Sequence, residues 1–304
     1  MSNTIFGPIN SRRFGKSLGI DLSPSKKQCN FDCLYCELAP ALTVDSYDEV
    51  VSVADIMESL SEALLKHQNI DVITITANGE PTLYPFLDEL IDEINLIKDR
   101  PQTLILSNGS TIYRRDVQDA LLKLDSVKLS LDCASARCLK RLDRSHQDID
   151  IENIKSGLLE FRARYSNPLI IEILFVDNIN DKDNEIELLN SFLLRLNADR
   201  VDIGTVDRPP AYSVASLDFD DLYQISQKFD PSLPIYITSR GKIKSKPSSY
   251  SEDEIIKTLS KRPLTDDDIK ILFDNETQKR VENLRNQGKI TKKERNLINF
   301  YILC

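Results

Sequence analysis

Long apolar runs are missing from this 304-residue chain. Nowhere do about 18 apolar residues follow one another, which leaves no candidate helical membrane span. Met1 to Lys16 lacks the apolar segment of a secretory signal, so the expected compartment is the cytoplasm. Positive charge is also in deficit. The chain has 39 Lys and Arg against 48 Asp and Glu, a net charge of −9, which argues against a large surface devoted to nucleic acid. No internal repeat and no low-complexity tract appear. What remains is the composition of an ordinary globular protein, 41% hydrophobic and 29% charged. A chain of this length buries roughly 75% of its unfolded surface and needs no disulfide staples.

Between about residues 16 and 240, strand-like runs alternate with helical patterns. The runs are Leu18–Leu22, Val72–Thr76, Thr103–Leu106, Val127–Leu131, Leu169–Val176 and Val201–Val206. Most are nearly continuous in Val, Ile and Leu, as strands covered on both faces are. Amphipathic helical spacing falls between them, at Val53–Lys66, Phe86–Ile97, Arg114–Leu124, Ile151–Tyr165 and Asp183–Leu196. This rhythm predicts an α/β fold with a parallel sheet and right-handed crossovers. Periodicity alone does not choose between an open barrel and a doubly wound sheet. Residues 241–250, rich in Gly, Ser, Pro and Lys nearby, have the makeup of a linker. Beyond them, residues 251–304 offer helical stretches at Glu252–Leu259, Thr265–Leu272 and Glu276–Gln287, then a strand at Asn296–Leu303. Three helices and a small hairpin suggest a winged helix. Its 11 Lys and Arg against 10 Asp and Glu give no net basic character.

The most informative stretch is Cys29-Asn-Phe-Asp-Cys33-Leu-Tyr-Cys36. Three thiolates within eight residues can converge on one metal centre. Iron–sulfur clusters are held by cysteine thiolates, and a cubane with three protein ligands keeps one iron open for chemistry. A closed zinc site needs a fourth ligand. The two histidines, His67 and His146, lie far from this loop in sequence, and Cys133 stands as a distant candidate. Cytosolic thiols stay reduced, so clustered cysteines suggest metal or catalysis before disulfides. Cys133, Cys138 and Cys304 make a poor ligand set for a second cluster and are expected to be buried or incidental thiols.

The C-x3-C-x2-C spacing, with Tyr35 before the last cysteine, resembles the radical S-adenosylmethionine (SAM) superfamily. Ala77-Asn78-Gly79-Glu80-Pro81 after the second run looks like that superfamily's Gly-Glu motif. The stretch from Phe6 to Pro24 is similar to a poorly characterised group of Fe–S oxidoreductases related to wyosine tRNA synthases and to the molybdenum-cofactor biosynthesis branch. The resemblance covers about residues 5–210. It implies a partial (β/α)6 barrel, assigned to residues 1–240, while the mostly helical, winged-helix-like domain at 251–304 rests on the patterning above. It implies one [4Fe–4S] cluster on Cys29, Cys33 and Cys36, and SAM as cofactor. For SAM it implies Tyr35, Asn78, Gly79 and Glu80, then Ser107 and Asn108, with Ser130 and Asp132 at the end of the fourth run. Gly79 and Gly109 allow close backbone approach or serve tight turns. Glu80 offers a carboxylate to an ammonium or follows the charge preference of a helix start. Asp132 has an N-cap as its plainer role. The implied activity is reductive cleavage of SAM to a 5′-deoxyadenosyl radical that abstracts substrate hydrogen, fed by an external one-electron donor such as flavodoxin or ferredoxin.

The substrate is not legible; tRNA or another nucleotide-containing molecule is the first candidate. Arg12, Arg13, Lys16, Lys26 and Lys27 cluster near the cysteine loop, and Arg208 follows the sixth run. Together they suggest a grip on an anion, against a plainer reading as solvated charges. Two other functions stay open: a redox-sensing Fe–S regulator reading DNA through residues 276–287, and a zinc-binding structural protein.

Overall fold

The computed structural model describes residues 4–11, 14–237, 247, 249–261, 264–295 and 298–304. Arg12, Arg13 and most of the expected linker lie outside the described residues. The chain opens with a hairpin, β1 (Ile5–Ser11) and β2 (Gly15–Asp21), whose pairing is irregular between Phe6 and Ile9. From β2 onward the sheet is parallel. The sequence runs α1 (Val53–Lys66), β3 (Val72–Thr76), α2 (Leu87–Asn95), β4 (Gln102–Ser107) and α3 (Arg115–Leu121). It continues with β5 (Ser126–Ser130), α4 (Ala136–Leu142), α5 (Ile151–Arg164), β6 (Leu169–Phe175), α6 (Asp183–Leu196), β7 (Arg200–Thr205), α7 (Phe219–Ser226) and β8 (Ile235–Ile237).

The eight strands pair in chain order, and among the described residues no pairing joins β1 to β8. This sequential parallel order, with helices between strands, is the open barrel that the resemblance implied. Periodicity located β2 to β7 but not β1, β8, α4 or α7. Ile73, Ile75, Val127, Leu129, Ile171, Ile173, Val201 and Ile203 are buried in one apolar cluster with the helices. Alternate residues face the other side of the sheet. There Lys128 bridges Glu172 at 2.6 Å and Asp202 at 3.2 Å across three strands, so the inner face is polar where the outer is apolar.

A second core gathers Tyr250, Ile255, Leu259, Leu264, Phe273, Val281, Leu284, Ile290 and Tyr301. It is built from α8 (Glu252–Lys261), β9 (Leu264–Thr265), α9 (Asp266–Leu272), α10 (Asn275–Asn286), β10 (Ile290–Arg295) and β11 (Ile298–Leu303). The strands form an antiparallel sheet in the order β10–β11–β9. That is a winged-helix element order, with a strand between the first two helices that the sequence reading did not include. Ile9 of β1 joins this core, and the Tyr250 hydroxyl donates to the Pro8 carbonyl. Among the described residues no helix is long and apolar enough to cross a membrane.

Candidate active site

Parallel barrels place their working loops at the C-terminal ends of the strands, and the cysteine loop sits there after β2. Asp21, the last residue of β2, accepts the N–H of Ser23 at 2.9 Å and of Asn78 at 2.8 Å, tying the first loop to the second. Gln28 then forms a bridge with the loop after β3. Its N–H donates to the Asn78 carbonyl at 2.9 Å, and its carbonyl accepts from Glu80 N–H at 3.0 Å. Gly79 makes this approach possible: its φ is +144°, and a Cβ there would stand 1.8 Å from the Gln28 carbonyl oxygen.

Inside the motif, Asn30 donates to Ser110 at 2.7 Å and accepts from the Asn108 amide at 2.9 Å. The same amide lies 3.7 Å from the Cys29 sulfur. Asp32 and Leu34 donate their N–H groups to the carbonyls of Asp143 and Leu142 at 3.0 and 2.9 Å. The Cys33 thiol points at the Asp143 carboxylate, 3.5 Å away. Ala211 N–H closes the far side on the Cys36 carbonyl at 2.8 Å. One loop is thus laced to the loops after β3, β4 and β7 and to the C-terminal end of α4.

Cys29, Cys33 and Cys36 are free thiols, each partly buried. Burial pushes the Cys29 thiol up to about 12, helped by the nearby Glu80 charge. Cys33 and Cys36 are raised as well, again chiefly by burial. Ligation would therefore displace three protons. The three sulfurs do not form a group lying wholly within 4.8 Å. A single zinc, at about 2.3 Å from each sulfur, requires a tighter set, whereas a cube of iron and sulfide needs a wide one. The donor set fits a cluster.

Glu80 is buried at 1% exposure, and its carboxylate is already engaged. One oxygen accepts from Thr82 N–H at 2.9 Å, Thr82 Oγ1 at 2.6 Å and Ser107 Oγ at 2.7 Å; the other accepts from Asn108 N–H at 2.7 Å. It caps the short turn Pro81–Leu83. Burial raises its pKa despite these donors. Gly109 follows with a φ of +70°. Tyr35 reaches Asp132, its hydroxyl donating to that carboxylate, which also accepts Leu174 N–H at 2.6 Å. Burial raises Asp132 to about 7. Asp132 is not the N-cap of the next helix; Ser135 is. Tyr35, Asn108, Ser130, Asp132, Cys133 and Asp143 line one cavity beside the cysteine loop.

The cations behave differently from the grouping that the sequence suggested. Arg208 pairs with Glu37 at 2.5 Å, and that charge raises its pKa. Lys26 meets Asp48 and Glu49, Lys27 meets Asp32, and Lys16 Nζ bonds the Gln68 carbonyl. Each described member is occupied within the chain. The expectation of reduced, incidental thiols also fails in part: Cys133 and Cys138 are buried but joined by a disulfide, while Cys304 is free and exposed. Sequence reasoning did not find Gln28, Asn30, Asp143 or Thr82. Asn30 lay inside the motif; the others carried no sequence signal.

Comparison with known proteins follows the same line. The family model for the radical SAM superfamily matches residues 24–189. A UPF0026 protein of Helicobacter pylori is 42% identical over 301 residues, 98% of this chain and 96% of that protein. A GTP 3′,8-cyclase of Mycolicibacterium smegmatis is 25% identical over 162 residues, 53% of this chain and 43% of that enzyme. Among solved structures, TYW1 with a lysine-pyruvate adduct bound matches with a TM-score of 0.54 at 18% identity, covering 75% of this chain and 76% of that one. At that identity the match speaks for the fold.

Proposed function

This chain belongs to the radical SAM superfamily and its UPF0026 family, and on that premise we propose that Cys29, Cys33 and Cys36 hold its [4Fe–4S] cluster. When bound, the cluster and SAM supply the reductive cleavage that yields a 5′-deoxyadenosyl radical and abstracts a substrate hydrogen, chemistry that belongs to the cofactors. The chain's own part is position and electrostatics. Asn78 and Gly79 bring main-chain groups to the mouth of the barrel, where the SAM amino group is to be held. Asn108, Ser130, Asp132 and Tyr35 wall the adjoining cavity, and the hydrogen bond from Tyr35 to Asp132 holds that wall in place. Ser107 and Glu80 act by fixing the loops. The observation that carries this reading is the bridge from Gln28 to Asn78 and Glu80, which makes the thiol loop and the Gly-Glu loop one unit.

The substrate we propose is a nucleotide-containing molecule, tRNA first. Its support is the name of the GTP 3′,8-cyclase relative. Arg208 takes part by exchanging Glu37 for a substrate anion. Residues 1–240 form the catalytic unit, 241–250 the connection and 251–304 a docking module. The enzyme draws single electrons from a flavodoxin or ferredoxin and works in the cytoplasm. A DNA-reading role finds little support in α10, where Lys279 and Arg285 pair with Glu276 and Glu282 and Arg280 bonds the Tyr250 carbonyl.

The test is anaerobic reconstitution with iron and sulfide, reduction with SAM present, and chromatography for 5′-deoxyadenosine. Formation in the wild type and its loss in Cys33→Ala is the expected result. Zinc in place of iron, with no cleavage, would overturn the ligand assignment.

A further inference from the structure

Cys133 and Cys138 lie outside the three-cysteine loop but within reach of it. Cys133 directly follows Asp132 and lines the same cavity as Tyr35, Asn108 and Ser130. Cys138 lies in the first turn of α4, its N–H capped by Ser135 Oγ at 3.2 Å. The disulfide between them spans Cα atoms 5.5 Å apart. A bridge across so short a loop removes little entropy from the unfolded chain, and a chain of this size has no need of one. Stapling is a weak account of it.

The far end of α4 gives a stronger one. The helix runs from this bond to Leu142 and Asp143, whose carbonyls receive the N–H groups of Leu34 and Asp32 and whose carboxylate, on Asp143, faces the Cys33 thiol. Seven helical residues span about 10 Å. Glu185 holds the near end, accepting Ala134 N–H at 2.5 Å, Ser135 N–H at 2.9 Å and Ser135 Oγ at 2.6 Å. With one end pinned at the disulfide, a displacement of α4 is delivered at the cysteine loop.

We propose that Cys133 and Cys138 are a reversible dithiol–disulfide site whose state sets the seating of the cysteine loop through α4. Opening takes two electrons and two protons from a dithiol reductant. A thiolate of the reductant attacks one sulfur, a mixed disulfide forms, and the reductant leaves as its own disulfide. Both protein sulfurs end as thiols, and an oxidised dithiol reverses the exchange. Bonded sulfurs stand about 2 Å apart and non-bonded heavy atoms no closer than about 3.5 Å, so opening drives the segment after β5 and the first turn of α4 apart. Leu139, the next residue on α4, lines the shared cavity. Its retreat widens the cavity, and the bonds from Asp143 and Leu142 to the loop loosen.

The full chain without iron tests this, and the readout needs no cluster. It therefore stands apart from the test of cluster chemistry. Buffers poised with reduced and oxidised dithiothreitol are scanned by differential alkylation and by hydrogen exchange. Cys133 and Cys138 are expected to titrate together as one two-electron couple while Cys304 follows its own course. Exchange at the Asp32 and Leu34 amides is expected to speed at least tenfold on reduction, and Cys138→Ser to hold the fast rate in every buffer. If that variant does not fold, the wild-type titration alone decides. Two free thiols throughout, or a bond that opens with no change at Asp32 and Leu34, overturns the proposal. So does a bound metal that is lost in Cys133→Ser, because Cys133, Cys138 and Glu185 offer ligand atoms within 4.8 Å of one another.

Discussion

Glu80 is tied into the fold as well as into its motif. Its carboxylate meets two main-chain N–H groups and two hydroxyls before any ligand arrives. Glu80→Gln keeps the shape but sets an amide against one of those donors. A buried donor left unpaired costs about 1–3 kcal/mol. The expected result is a loss of that size in the unfolding free energy of the iron-free chain, read as a lowered urea midpoint with no SAM present. An unchanged midpoint would return Glu80 to a purely ligand-binding role. The three cysteines were legible because their spacing is local. The work of Glu80 was not, because its partners Ser107 and Asn108 lie 27 and 28 positions away. Asp143 is further removed still, 110 positions from Cys33, and no pattern in one sequence links them. The Cys133–Cys138 bond is hidden differently: a reducing compartment argues for free thiols, and two cysteines five positions apart carry no pattern of their own that marks a bridge.

Elements follow the same division between local and distant causes. The strands β2 to β7 were legible because each is a short run rich in Val, Ile and Leu, set between helical patterns, whose helix-facing residues are buried. By contrast, β1 is broken by its irregular pairing, β8 is three residues long, and α4 has only seven residues, with Cys138, Leu139 and Leu142 as its buried face. Such short elements are fixed by neighbours rather than by periodicity. Helix α5 carries a testable case. Alanine in place of a mid-helix glycine ordinarily gains about 1 kcal/mol. At Gly157 an added Cβ would stand 2.5 Å from the Tyr113 Cα and backbone nitrogen, and overpacking of this kind costs about 1–3 kcal/mol. The steric cost is the larger, so Gly157→Ala is expected to lower thermal stability. Because Tyr113 belongs to the same loop as Asn108, the variant should also change amide exchange at residues 108–113. A stabilised Gly157→Ala would mean that α5 can shift without disturbing that loop.

At the scale of the whole molecule, the second core meets the barrel along β1 and along a polar contact between α1 and α8. Lys66 Nζ lies 2.7 Å and His67 Nε2 3.3 Å from one oxygen of Glu254. The Lys66 side chain is 62% exposed, so that pair is worth about 1 kcal/mol at most. His67 is more enclosed. Burial lowers its pKa below the ordinary 6.5, with Lys66 and Lys16 pushing the same way and Glu254 opposing them. In the unfolded chain the imidazole takes its proton near 6.5, while the folded chain resists it. Stability is therefore unaffected above that pH and falls as pH drops from 6.5 through the folded value. Glu254 acts in the same direction at lower pH. Its folded pKa is depressed, with burial opposing and the Lys66 contact prevailing, so its contribution is present above about 4.5 and is lost as pH falls through the folded value. Acid should thus loosen α8 from α1 before it unfolds the barrel. Hydrogen exchange at the α8 amides, compared at pH 7.5 and 5.5 after correction for intrinsic rates, is the measurement. Wild type is expected to lose more protection than His67→Gln over that interval, with β3 and β4 unchanged in both. Equal loss in the two proteins would place the pH response elsewhere and leave the β1 contact, where Tyr250 meets Pro8 and Ile9 joins the second core, as the main attachment.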